Sequence, residues 1–153
     1  MKKAIAFAIV IFMGLIFVGC GSEEKENEGS NQTPVPSQSE VGLNKYKVEK
    51  SGNSILVITN DGAAISTTEY KFSNNTLTEA ILTQKYASKE LAKVSYETLK
   101  KEPMITEQYS DINQNGNTIT LIFKSDILKA YTGMNIDAVY DLMVQTYEPY
   151  MEK

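Results

Sequence analysis

The chain has 153 residues and a formal net charge of −4, with fifteen lysines against nineteen Asp plus Glu and no His, Arg or Trp. Without His it lacks the usual general base near neutral pH, the Ser-His and Cys-His nucleophile pairs and the commonest zinc ligand. Without Arg it lacks the bidentate clamp for carboxylate and phosphate, and an acidic chain with no basic run excludes nucleic acid as the expected partner.

The first element is a targeting segment. Lys2 and Lys3 are followed by sixteen uncharged residues, Ala4 to Gly19, and then by Cys20, the only cysteine. A positive start, an apolar run and a small residue before the cleavage point form a secretory signal. Phe17 to Cys20 (FVGC) resembles the bacterial lipobox, although Phe17 stands where Leu is usual. That resemblance implies a thioether-linked diacylglycerol on Cys20, cleavage just before it and an N-acyl lipid option on the new amine. Apart from that covalent lipid, no cofactor and no metal is expected. Sixteen apolar residues are short of the about 20 that a spanning helix needs. One cysteine forms no internal disulfide, and acylation consumes a thiol that would otherwise be exposed. Two acyl chains hold a protein to a membrane where one gives only marginal binding.

Residues 1–19 are therefore expected to be the signal peptide, and residues 20–42 the lipidated cysteine and an acidic linker. Gly21 to Gly42 (GSEEKENEGSNQTPVPSQSEVG) is rich in Ser, Glu, Asn, Gln and Pro and poor in apolar residues, so it does not order itself by burial. As a flexible coil it reaches roughly 25 Å. The 134 residues from Cys20 carry thirteen lysines against nineteen carboxylates, a net charge of −6. Anionic lipid does not attract such a chain, so attachment rests on the lipid anchor.

Residues 43–153 are expected to form one domain. Tyr46 to Glu49 alternates like a first strand. Ser54 to Asn60 (SILVITN) is apolar and β-branched, and Asp61-Gly62 after it favours a tight hairpin turn. Ala63 to Ser73 alternates again, Asn74-Asn75 makes a second turn, and Thr76 to Tyr86 reads as a further strand, giving a meander. Ser88 caps a helix to about Glu102, with Leu91, Ala92, Val94, Tyr96 and Leu99 as its apolar stripe. Lys100 and Lys101 suit its last turn and Pro103 stops it. Ile105 to Asn113 and Thr118 to Lys124 are expected as strands around Asn115-Gly116, a type I′ turn. Ser125 to Gly133 holds one helical turn. Asn135 caps a last helix with Ile136, Val139, Tyr140, Met143 and Tyr147 on one face, ended near Pro149. The class expected is α+β: an antiparallel sheet, meander plus hairpin, with two helices packed on one face. About 111 residues bury some two-thirds of their unfolded surface, enough for a core without disulfides.

The stretch TTEYKFSNNTLTEAILTQKYASKELAKVSYETLKKE and the tail IFKSDILKAYTGMNIDAVYDLM, together with the lipobox and acidic spacer, resemble the YehR-like group of small bacterial lipoproteins. The resemblance implies a fold and an anchor, and no catalytic or binding residues.

Three constellations carry candidate chemistry. Asp111-Ile-Asn113-Gln-Asn115-Gly116 matches the opening of a calcium loop. That loop also needs a bidentate Glu six residues after the glycine, where Ile122 stands, and the same residues make a hairpin. Asp137 and Asp141 share a helix face, which suits chelation or acid/base pairing. Equally, Asp137 favours the helix N-terminus and Asp141 is solvated. All nine tyrosines lie in the domain; Tyr140 and Tyr147 are expected in the core, and Tyr150 is the better interface anchor. Catalytic options left are carboxylate pairs, a Ser-Lys dyad or a Tyr, and none has a recognisable motif. The expected function is a non-enzymatic, membrane-anchored interaction module on the extracytoplasmic face, contacting an envelope protein or wall polymer. The alternative is a small envelope enzyme using carboxylate or Ser-Lys chemistry.

Overall fold

A computed structural model of the chain describes residues 42, 43 and 45–151. Cys20, the signal segment and the linker up to residue 41 lie outside the described residues. Six strands form one antiparallel sheet: β1 (Lys45–Ser51), β2 (Ser54–Asn60), β3 (Ala64–Ser73), β4 (Thr76–Tyr86), β5 (Tyr109–Asn115) and β6 (Thr118–Phe123). Their order is β1-β2-β3-β4-β6-β5. The helices are α1 (Lys89–Leu99), α2 (Pro103–Gln108), α3 (Ser125–Leu128) and α4 (Ile136–Tyr147). The molecule is an α+β protein with an open sheet, as expected.

Tight turns build the meander. Ser51 pairs with Ser54 around Gly52-Asn53, and Ser73 pairs with Thr76 around Asn74-Asn75. Asn74 and Asn75 both take positive φ, 50° and 57°, the type I′ geometry that Asn tolerates because its short polar side chain bonds locally. At the Asp61-Gly62 turn the Asp61 carboxylate accepts hydrogen bonds from the N–H groups of Ala63 and Ala64, at 2.9 and 2.8 Å.

Residues opposite each other across strands share a face. One face carries Val48, Ile55, Val57, Thr68, Tyr70, Ala80, Leu82, Ile119 and Leu121. Helix α4 drives Val139, Met143 and Tyr147 onto it, and Leu128 of α3 joins them. Ile55, Val139 and Ile119 are fully buried, each contributing roughly 1.5–3 kcal/mol relative to exposure. Helix α1 lies along β4, β6 and β5, and on β4 the Tyr86 hydroxyl donates to Gln84 Oε1 at 3.4 Å. Both long helices cap as the sequence indicates: Ser88 Oγ accepts from Leu91 N–H at 3.2 Å and Asn135 Oδ1 from Ala138 N–H at 2.8 Å.

Three expectations are corrected. Residues 103–108 are helix α2, and strand β5 starts at Tyr109, not at Ile105. Pro103 opens that helix at its first position, where a missing N–H costs nothing, and the residue before it, Glu102, is extended. The strand cannot begin earlier because Tyr109 already pairs with Phe123, the last residue of β6. Helix α1 ends at Leu99, so Lys100 and Lys101 follow the last turn, closed by Lys101 N–H to the Thr98 carbonyl and Glu102 N–H to the Leu99 carbonyl. The β5–β6 turn is centred on Gly116-Asn117, one residue later than expected, because Asn115 pairs with Thr118. Only Gly116 takes positive φ, 59°, which fits a type II′ turn. Asn117 explains the shift: its Nδ2 donates to the Tyr86 carbonyl at 2.8 Å, and Tyr86 N–H donates to the Asn117 carbonyl at 2.9 Å. The hairpin is thereby latched to the end of β4.

Candidate functional site

The carboxylates of α4 do not converge on an empty site. Asp137 pairs with Lys50 of β1, and Asp141 adds to the field on the same ammonium. Lys50 also lies 5.9 Å from the centroid of Tyr140. The Asp137 hydrogen bond chiefly raises the Lys50 pKa above its ordinary value. Lys71 behaves alike: it sits 2.7 Å from Glu79 and 3.8 Å from Glu69, and its pKa is raised chiefly by the Glu79 hydrogen bond. Asp126, paired with Lys129, is held below the usual carboxylate range by that contact. Glu90 is lowered by a hydrogen bond from its own backbone N–H and one from Ser88. Each of these shifts fixes the group in the charged form it already has near pH 7.

Tyrosines gather where α4 meets β1. Tyr46 stacks on Tyr147 at 4.7 Å between centroids and meets Tyr150 at 5.9 Å. Tyr147 is buried as expected of a core ring, Tyr140 is half-buried at the margin of the core, short of the full burial expected, and Tyr150 is 57% exposed. Burial raises the hydroxyls of Tyr147 and Tyr109 to about 12 and pushes Tyr70 up as well. All stay protonated at neutral pH. In the sheet itself, Thr67 Oγ1 is buried without a hydrogen-bond partner, a cost of about 1–3 kcal/mol.

Asp111, Asn113 and Asn115 occupy alternate positions of β5 and are exposed. Alternate strand residues project to one face about 6.8 Å apart, so their oxygens do not wrap one ion at the 2.3–2.6 Å calcium requires. These residues build a strand and its hairpin. Among the described residues, no group of three or more Asp or Glu is placed to hold a metal ion.

The sequence reading missed two features. Lys50 was not singled out, because its contact with Asp137 joins positions 87 residues apart. The free edge of β5 was also missed, since it depends on strand order and not on local pattern. The alternating tract was the available signal for it.

No family model, no curated protein and no solved structure matches this chain.

Proposed function

We propose that the chain is a membrane-anchored extracytoplasmic lipoprotein whose domain is a non-enzymatic binding module of the cell envelope, facing an envelope protein or wall polymer. The observation that carries the reading is Cys20 at the end of a sixteen-residue uncharged run behind Lys2 and Lys3. The likeness to the YehR-like group in two stretches of sequence agrees with it. Four charged groups of the domain are held in their ionised forms. A carboxylate acid needs a raised pKa and a lysine base a lowered one, whereas Asp126 and Glu90 are lowered and Lys50 and Lys71 raised.

The test compares wild type with Cys20→Ser by membrane fractionation and mass spectrometry of the N-terminal peptide. Wild type is expected in the membrane fraction with an acylated Cys20, and the variant is expected to be unacylated and released or retained only through its uncleaved leader. Equal membrane association of two unlipidated proteins overturns the proposal.

A further inference from the structure

The sheet has two edges, and they are finished differently. At the β1 edge, Met151 forms a parallel bridge to Tyr46, and the strand carries Lys45, Lys47 and Lys50. Lysines and a covering segment are the usual means of stopping edge-to-edge pairing. Among the described residues, strand β5 has neither a lysine nor a strand or bridge on its outer side. Its sequence, YSDINQN, contains no lysine and no proline, and its neighbour is β6 alone. Its one irregularity is the register shift between Tyr109 and Asp111, which leaves the Asp111–Asn115 stretch straight in register.

The hairpin geometry determines which backbone groups face out. Asn115 and Thr118 flank a two-residue turn, so they exchange hydrogen bonds, and such pairs alternate along an antiparallel ladder. Asn113 with Thr120 and Asp111 with Ile122 follow suit. The N–H and C=O groups of Ile112 and Gln114 therefore point away from β6.

We propose that β5 pairs antiparallel with β5 of a second copy of this chain about a two-fold axis at Asn113, forming a continuous twelve-stranded sheet. In that register Ile112 faces Gln114 of the other copy, and the outward groups of both residues make four inter-chain hydrogen bonds. Asp111, the only charge on the strand, faces Asn115 and never its own copy. No other acid or base enters the seam. The interface is isologous, so it closes at two copies, and the blocked β1 edges keep the sheet from extending. A seven-residue edge buries less than the about 1,000 Å² of a stable interface, so the dimer is weak and forms at high local concentration. It does not depend on the anchor proposed above.

The full-length chain in mild detergent tests this. Sedimentation velocity from low micromolar to near-millimolar protein is expected to show a reversible monomer–dimer equilibrium. Asn113→Lys brings two ammonium groups together at the axis and is expected to weaken dimerisation at least tenfold, with the melting temperature of the dilute protein unchanged. Register is read independently by oxidation. Across the axis Asn113→Cys puts two Cα atoms about 4.5 Å apart, within disulfide reach, whereas Asp111→Cys leaves its two copies about 13 Å apart along the strands. Cross-linking confined to Asn113→Cys supports the proposal. A wild type that stays monomeric throughout, or equal cross-linking of the two variants, overturns it.

Discussion

Helix α4 and helix α1 close the two halves of the same sheet by different means. The first buries Val139, Met143 and Tyr147 against Val48, Ile55, Val57 and Phe72. The second buries only Ala92 and Leu99, and leaves Leu91 50% and Val94 63% exposed. The strands beneath α1 supply the apolar burial there, with Leu82, Ile119 and Leu121, and polar ties add to it: the Ser88 cap and the Asn117 latch on Tyr86. Two helices of similar length thus differ in what they stabilise. Removing apolar volume from α4 itself is expected to cost more than removing it from the outer face of α1, and the β5–β6 hairpin is expected to answer to changes of backbone geometry.

The largest effect is expected from Met143→Ala. It deletes a buried side chain from the main cluster and should cost about 2–4 kcal/mol, read from a chemical denaturation curve. A cost below about 1 kcal/mol would mean that α4 is not the principal closure.

Gly116→Val comes next. Positive φ at residue 116 is poorly tolerated by a β-branched side chain, so at least about 1 kcal/mol is expected through backbone strain. A Cβ at that position meets no neighbour within 4 Å, which isolates strain as the cause. Asp111→Asn in the same hairpin should leave both the melt and its response to chelator unchanged. A calcium-dependent melt that disappears in Asp111→Asn would reverse the reading of this loop.

Much of the fold was legible because β2, β3, β4 and β6 carry alternation and β-branched runs bounded by turn residues, and α4 carries one clean stripe with an Asn cap. The errors fall where local pattern and tertiary partner disagree. Residues 105–108 have no strand opposite them, so Pro103 starts a helix there. In α1 the apolar residues span a wider arc than the sheet covers: Ala92 and Leu99 are taken in with Ser95 and Tyr96 half-buried beside them, while Leu91 and Val94 are left out. The turn at Gly116-Asn117 was displaced by a hydrogen bond to Tyr86, 31 residues away. Of the candidate site residues, Tyr147 fell where its helical phase put it and Tyr140 only at the core's margin, Tyr150 is exposed beyond Pro149, and the pairing of Asp137 with Lys50 depended on the sheet.

The smallest effect is expected from Leu91→Ser and Val94→Ser. Both side chains are on the solvent side of α1, so each change should stay within about 0.5 kcal/mol. Thermal melts of the two variants check this, and a loss above about 1.5 kcal/mol from either would show that the outer face of α1 is covered.

The bridge between Tyr46 and Met151 has a topological consequence. The chain enters the sheet at Lys45 and its far end returns to the neighbouring position, so beginning and end of the fold lie side by side. A few added residues would join them, and the exposed Asn74-Asn75 turn offers a place to open the ring. A circularly permuted chain starting at Asn75 is therefore expected to keep the same strand pairs, with the order β4 to α4 and then β1 to β3 along the chain.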